Sequence, residues 1–167
     1  MSNTKTVMGQ ASNQYVTPTD ITDVFSTYLY EGTGAAQTIT NGIDLDGEGG
    51  LVWIKERPNA TSHQLFNTEV GLSGTGSRLI ANDTITPTNS TRYLSSFNSN
   101  GFSIGDENDV NRGTGAGYAS WTFRKAPKFF DCITWTGDGT SNRAIPHNLG
   151  GAVGSYFVKC TSHGTAS

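Results

Sequence analysis

The stretch Gly47-Glu-Gly-Gly-Leu-Val-Trp-Ile-Lys55 decides the fold class of this chain. A glycine-rich turn precedes an apolar run, residues 51–54, in which polar and apolar side chains do not alternate. Such a run, rich in β-branched and aromatic residues, is typical of a strand that is covered on both faces or lies at the centre of a sheet. We therefore predict that residues 51–55 form an inner strand of a β-sheet.

Short strand-like segments lie on both sides of this run, each followed by a turn cluster rich in Gly, Asn or Ser. In residues 118–124, Ala119, Trp121 and Phe123 alternate with polar side chains, which is the pattern of a strand with two different faces. This density of short strands predicts an all-β fold, an antiparallel β-sandwich or jelly roll. The other predicted strands are residues 25–30, 64–68, 78–81, 92–97 and 102–104, and a helical turn is predicted at residues 20–24.

Composition supports the β assignment and excludes several partners. The chain has 21 glycines, only 15% charged residues and a net charge of −3, and a nucleic-acid surface would instead need a basic excess. No apolar run approaches the roughly 20 residues that span a bilayer, and no secretory signal is visible. Cys132 and Cys160 are interpreted as buried or half-buried free thiols in a reducing cytosol rather than as a disulfide.

The sequence contains no pattern that predicts catalysis, a metal or a cofactor. The acidic runs at residues 44–48 and 106–109 do not fit an EF-hand loop, so solvated loops are favoured over a Ca²⁺ site. The glycine-rich residues 71–76 and 113–117 lack the helix that a phosphate cradle needs. Solvated side chains, too far apart to share a metal, are predicted for His63, His147 and His163.

The aromatic residues have two interpretations. Most of them lie in apolar segments, which favours packing in the core over exposure. The alternative is a sugar-stacking surface, for which Tyr93 and Tyr118 are the candidate contacts. The other members of this aromatic set are Trp53, Trp121 and Trp135.

Residues 1–20 are predicted to form an extended arm. Their apolar side chains are isolated among Ser, Thr, Asn and Gln, so the arm can bury little surface of its own. We expect it to dock onto a neighbouring protein through Val7, Met8, Tyr15 and Val16.

An internal sequence repeat is the most informative feature of the chain. Phe25-Ser-Thr-Tyr-Leu-Tyr-Glu-Gly-Thr-Gly34 aligns with Phe130-Asp-Cys-Ile-Thr-Trp-Thr-Gly-Asp-Gly139, and Val52-Trp-Ile-Lys55 aligns with Tyr156-Phe-Val-Lys159. A period of roughly 105 residues indicates a duplicated domain rather than a solenoid repeat. We call residues 25–55 the first strand set and residues 130–159 the second strand set.

Between these strands, Ile39 and an Asn-rich turn at Asn41 match Ile145 and Asn148. The repeat predicts that the chain has three parts: the arm at residues 1–20, a β-sandwich at residues 21–127, and the start of a second, incomplete β module at residues 128–167. Because a strand cannot bury its face alone, we expect that the chain continues, or that residues 128–167 complete a sheet in another subunit.

Several segments also resemble a known family. They are Leu51-Val-Trp-Ile-Lys, Tyr93-Leu-Ser-Ser, Asn100-Gly-Phe-Ser-Ile-Gly, Tyr118-Ala-Ser-Trp-Thr-Phe-Arg-Lys-Ala-Pro-Lys-Phe-Phe-Asp and Ile145-Pro-His-Asn-Leu-Gly. As a set they are similar to large virion-associated structural proteins of tailed bacteriophages, notably marine and cyanobacterial ones. The resemblance covers about residues 25–167 and does not extend to the arm.

The resemblance implies a concanavalin-like or jelly-roll sandwich, usually in tandem, in a tail fibre or appendage. It implies a non-enzymatic protein, a homotrimer by analogy with fibres, made in the host cytoplasm and bound to other virion proteins of the tail or near the portal. The alternatives are a module that binds host surface glycans, a capsid decoration or head-fibre protein, and a polysaccharide-degrading enzyme. That enzyme would need two converging carboxylates.

Overall fold

A computed structural model describes residues 19–74, 77–84, 88–113 and 115–161. The predicted arm residues Val7, Met8, Tyr15 and Val16 lie outside the described residues. Eight strands and two one-turn helices are present in the part of the chain that the structure describes. In chain order they are α1 (Ile21–Val24), β1 (Phe25–Glu31), β2 (Gln37–Thr40), β3 (Gly50–Glu56), β4 (Gln64–Asn67), β5 (Leu79–Ile80), β6 (Leu94–Asn98), β7 (Gly101–Ile104), α2 (Asn108–Asn111) and β8 (Gly117–Arg124).

The strands form two antiparallel sheets that pack together as a sandwich. The larger sheet has five strands in the order β1-β8-β3-β4-β5, and the smaller has three in the order β2-β7-β6. Strand β3 is thus the middle strand of the larger sheet, which confirms the prediction from its apolar run. Neither of the two helices described is long and apolar enough to cross a membrane.

The core lies between the sheets and draws on both. From β3, Val52 and Ile54 are fully buried, because alternate side chains of a strand point to the same face. Phe102 and Ile104 of β7 meet them from the smaller sheet. A side-chain hydrogen bond also joins the two sheets: Nδ2 of Asn41, which follows β2, donates to Oγ1 of Thr122 on β8 at 2.8 Å. The remaining buried members of this core are Tyr30, Ile39, Ile43, Leu45, Phe66, Leu94, Val110, Ala116 and Tyr118.

Strand β8 alternates as its sequence predicts, but Trp121 and Phe123 of its aromatic stripe lie outside the inter-sheet core. Ser120 and Thr122 are fully buried and face the smaller sheet, whereas Trp121 and Phe123 are half-buried on the opposite face. The interpretation of this aromatic stripe as core is therefore wrong. The buried hydroxyl of Ser120 is satisfied by a hydrogen bond of 3.3 Å to Tyr28 O, which lets a polar side chain occupy the inner face.

Two elements were missed by the sequence analysis. Strand β2 contains two threonines and a glutamine, so it lacks an apolar run, yet it pairs residue by residue with β7. Helix α2 overlaps the end of the run interpreted as a solvated acidic loop, and its N-cap, Glu107, accepts a hydrogen bond of 3.1 Å from the backbone N–H of Asn108. The predicted helical turn at α1 is confirmed, with Asp20 as its N-cap.

The described residues 131–161 contain no strand, so the start of a second β module at residues 128–167 stays a prediction. The chain makes one isolated bridge, between Ala126 and Phe130, and then runs without regular structure. Its large apolar side chains are exposed, at 44% for Trp135, 81% for Tyr156, 79% for Phe157 and 63% for Val158. The apolar pattern that predicted strands is thus present, but the side chains have no sheet to cover them.

Candidate functional site

The outer surface of the larger sheet carries a continuous group of aromatic and aliphatic side chains. We call Leu51, Trp53, Trp121 and Phe123 the outer aromatic face. Trp53 and Trp121 lie directly opposite each other on β3 and β8, and so do Leu51 and Phe123. All four are half-buried. The larger sheet is therefore apolar on both sides, with only one side covered by the smaller sheet.

The two tryptophans of the outer aromatic face do not form a flat platform. Their ring centroids are 5.8 Å apart and the planes meet at 63°, so the edge of one ring faces the other. Phe157 approaches Trp53 in the same manner, at 6.4 Å and 83°. Edge-to-face packing stabilises aromatic pairs, but it leaves no broad ring surface for a sugar.

His63 fixes the orientation of Trp53. The indole N–H donates a hydrogen bond of 2.9 Å to His63 Nδ1. Burial, with the nearby charge of Lys55, lowers the pKa of His63, which keeps the imidazole neutral and able to accept this bond. The prediction that His63 is a solvated side chain is wrong, because this histidine is half-buried and holds the tryptophan.

The other end of the outer aromatic face is covered by residues 129–132. Phe130 lies 5.3 Å from Phe123 between ring centroids, and Phe129 lies 6.5 Å away. Burial raises the pKa of the neighbouring Cys132 thiol to about 11. Cys132 and Cys160 are not joined by a disulfide. Cys132 is half-buried, as expected from the sequence, whereas Cys160 is exposed, contrary to that expectation.

Tyr118 is not available to a ligand. Its side chain is fully buried and stacks on Tyr30 at 5.1 Å between ring centroids. The hydroxyl donates a hydrogen bond of 2.6 Å to Asn108 O and accepts one of 2.8 Å from the backbone N–H of Arg112. The candidate role of Tyr118 as a sugar contact is therefore wrong, because β8 turns it inward to anchor α2.

Tyr93 lies elsewhere, on the half-buried rim of the core. The guanidinium of Arg78 sits 4.0 Å from the centre of its ring, a cation–π arrangement that occupies one ring face. Burial raises the pKa of Tyr93. The structure therefore does not bring the two tyrosines together into one sugar-binding surface.

A buried ion pair joins β3 to the segment after α2, and the sequence analysis missed it. Glu56 is fully buried, and its Oε1 accepts hydrogen bonds from Arg112 Nε at 3.0 Å and Asn59 Nδ2 at 2.5 Å. Burial opposes ionisation of Glu56, but these bonds and the charge of Arg112 outweigh it and lower the pKa. The alternation along β3 could have revealed this residue. Val52 and Ile54 point to the inner face, and Glu56 follows at the same spacing of two residues, so it points inward as well.

The remaining histidine and acidic residues do not converge. No group of three or more His, Cys, Asp or Glu side chains in the described parts of the chain is placed to hold a metal ion. His147 accepts a hydrogen bond of 3.2 Å from the backbone N–H of Leu149, as a turn residue does. His163 lies outside the described residues.

Comparison with known proteins gives a family. A model of a family described as a domain of unknown function, DUF7483, matches residues 20–166. The chain belongs to this DUF7483 family. No curated protein and no solved structure matches the chain. The family match spans both strand sets, so the unstructured second set is part of the same family pattern as the sandwich.

Proposed function

We propose that this DUF7483 protein is a structural component of a tailed-bacteriophage virion, a tail-fibre or appendage subunit without catalytic activity. The observation that carries the proposal is the larger sheet, which is apolar on both faces. Its outer aromatic face is only partly covered by residues 129–132 and by Phe157. Extended apolar faces of this kind are typical of surfaces that pack against other proteins in an assembly.

The edge of the larger sheet gives further support. Strand β1 is seven residues long and pairs with β8 on one side only among the described residues. Leu29 in its middle is exposed, and the strand has none of the Lys or Pro residues that usually block an edge. In the proposal this edge and the outer aromatic face contact neighbouring subunits, in a homotrimer, and the sandwich is of the concanavalin-like or jelly-roll type.

The polar residues of the sandwich are used for structure. Glu56 Oε1 accepts a hydrogen bond of 3.0 Å from Arg112 Nε, which ties β3 to the segment after α2. Asn111 accepts hydrogen bonds from Thr33 and Gln37, and donates one of 2.7 Å to Ala35 O, which joins the turn after β1 to α2. Side chains engaged in this way favour a rigid spacer over a reactive site.

The arm supplies attachment in this proposal. In infected cells, a chain with Val7, Met8, Tyr15 and Val16 all changed to Ser should fold normally but be absent from purified particles, as measured by mass spectrometry. Normal incorporation of this variant would contradict the attachment role. The matched control, which should incorporate normally, changes Asn3, Thr6, Gln10 and Asn13 to Ser.

A carbohydrate-binding module is the alternative. The two tryptophans of the outer aromatic face are its only support, since Tyr118 is buried and the ring of Tyr93 carries Arg78. Titration with host surface glycans, read by tryptophan fluorescence, separates the two functions. A saturable change that is lost in Trp53→Ala would favour sugar binding. Location in the virion, at tail or head, is decided by electron microscopy of particles labelled with an antibody against the sandwich.

A further inference from the structure

The topology of the sandwich shows which strands the first strand set needs. Strands β1 and β3 both pair with β8, which lies between them, and β2 pairs with β7. No strand of the set pairs with another strand of the set. The partners that join the three strands all lie in residues 101–124, which contain β7, α2 and β8.

The turn after β1 is present in both strand sets. Gly34 has φ +69° and its counterpart Gly139 has φ +75°, a conformation that favours glycine. In the first turn the backbone N–H of Ala35 donates to Thr33 Oγ1 at 3.3 Å, and in the second the N–H of Thr140 donates to Asp138 Oδ1 at 2.9 Å. Residues 105 positions apart therefore form the same local turn.

A second turn also repeats, at the end of the β2 position. The backbone N–H of Ile43 donates to Asn41 Oδ1 at 3.2 Å. The spacing that aligns Ile39 with Ile145 places His147, one residue before Asn148, opposite Asn41 and places Leu149 opposite Ile43; the distance from the N–H of Leu149 to His147 Nδ1 is also 3.2 Å. The local geometry of the first set is thus kept in the second, although its strands are absent.

Two glycines reveal what the second set lacks. A Cβ on Gly32 would lie 2.2 Å from Arg112 O, and a Cβ on Gly50 would lie 2.0 Å from Phe123 O, so both positions require glycine because residues 101–124 pass so close. Their counterparts by alignment are Gly137 and Gly154. A Cβ on either would meet no atom within 4 Å.

The apolar positions give the same result. The first set turns its inward side chains into the core, and the matching side chains of the second set are half-buried or exposed. The buried positions and their counterparts are Tyr30 with Trp135, Ile39 with Ile145, Ile43 with Leu149, Val52 with Tyr156 and Ile54 with Val158.

We propose that residues 130–159 are a docking surface for a second β7–β8 segment, a polypeptide with the strand pattern of residues 101–124. When it binds, the second strand set pairs with it as β1, β2 and β3 pair with β7 and β8. Gly137 and Gly154 leave room for its backbone, and Trp135, Tyr156 and Val158 enter the new core. This docking is independent of any role in a virion.

A fusion tests the proposal by supplying the segment. Residues 1–159 are followed directly by a second copy of residues 56–127, and amide hydrogen exchange is followed by mass spectrometry. Peptides from residues 130–159 are distinguishable because their sequence differs from that of the first set. Their exchange should slow by about 100-fold relative to the natural chain, as amides enter a stable sheet. Exchange within about threefold of that in the natural chain would overturn the proposal.

The substitution Gly137→Ala tests whether the pairing is the equivalent one. In the natural chain it should leave the exchange of residues 130–159 unchanged, because no atom lies near the new Cβ. In the fusion it should remove at least about tenfold of the gained protection, since the Cβ would meet the second copy of Arg112 O. Protection that survives Gly137→Ala in the fusion would overturn the equivalence of the two sets.

Discussion

The first and second strand sets carry the same pattern of apolar residues, turns and glycines, but only the first is folded into sheets. Their turns are alike, because a turn is held by atoms a few residues apart, such as Thr33 and Ala35, or Asp138 and Thr140. Their strands differ, because β1 and β3 depend on β8, far along the chain. The comparison teaches that local sequence sets the turns, whereas the presence of distant partners decides whether a strand forms.

The largest expected difference between the sets comes from a single methyl group. Gly50→Ala should destabilise the sandwich by about 3 kcal/mol or more, because its Cβ would overlap Phe123 O on β8. The matched Gly154→Ala, with open space around it, should change the free energy of unfolding by less than about 0.5 kcal/mol. Urea unfolding followed by circular dichroism measures both. Equal effects of the two substitutions would remove the distinction between the sets.

Core truncation should give the next largest difference. Ile54→Ala removes a fully buried side chain from β3 and should cost about 3 kcal/mol. The counterpart Val158→Ala removes an exposed side chain and should cost less than about 0.5 kcal/mol. Thermal unfolding of the two variants checks this. A clear loss of stability in Val158→Ala would show that the side chain of Val158 is packed against other groups in the folded protein.

The pH dependence of stability should also differ between the two regions. Glu56 directly follows the first strand set, whereas the position that aligns with it after the second strand set is Cys160, which has no carboxylate. The pKa of Glu56 is lowered in the folded protein, so its contribution to stability is present above the ordinary value of 4.5 and is lost as the pH falls through the folded pKa. Glu56→Gln should be less stable than wild type near neutral pH, and the gap should close in acid. Parallel curves of unfolding midpoint against pH would contradict this.

Labelling of Cys132 should change the stability of the protein least. It reports on residues 129–132, where the sandwich ends and the second strand set begins. Burial raises the pKa of the Cys132 thiol to about 11, and the substitution Cys160→Ser leaves Cys132 as the single thiol of the chain. Since the thiolate is the reacting form, Cys132 should react with iodoacetamide about 100-fold more slowly in the folded protein than in urea at the same pH. Equal rates would show that residues 129–132 do not cover the end of the outer aromatic face.

Much of the sandwich was predictable from the sequence. The apolar run at β3 identified a central strand, and the alternation in β8 gave its two faces, because both signals depend on side-chain periodicity alone. Strand β2 was missed because Gln37, Thr38 and Thr40 carry no such signal, and its pairing with β7 is what makes it a strand. The second strand set has the periodic signal as well, but it lacks partner strands, and its described residues form no strand.

The candidate site was less predictable. Tyr118 and Trp121 are three residues apart on one strand and so point to opposite faces, but sequence alone does not say which face the smaller sheet covers. The inward direction of Tyr118 depends on β1, far away in the sequence, where Tyr30 stacks on it, and the contact of Arg78 with Tyr93 depends on how two irregular segments pack. Positions of this kind follow from the assembled fold.

Amide hydrogen exchange of the natural chain tests the central claim most directly. The account predicts strong protection for residues 50–56, which lie between β8 and β4, and exchange near the rate of an unfolded peptide for residues 155–159. Protection of residues 155–159 comparable to that of residues 50–56 would contradict it, because a strand would then form from the same pattern without a described partner.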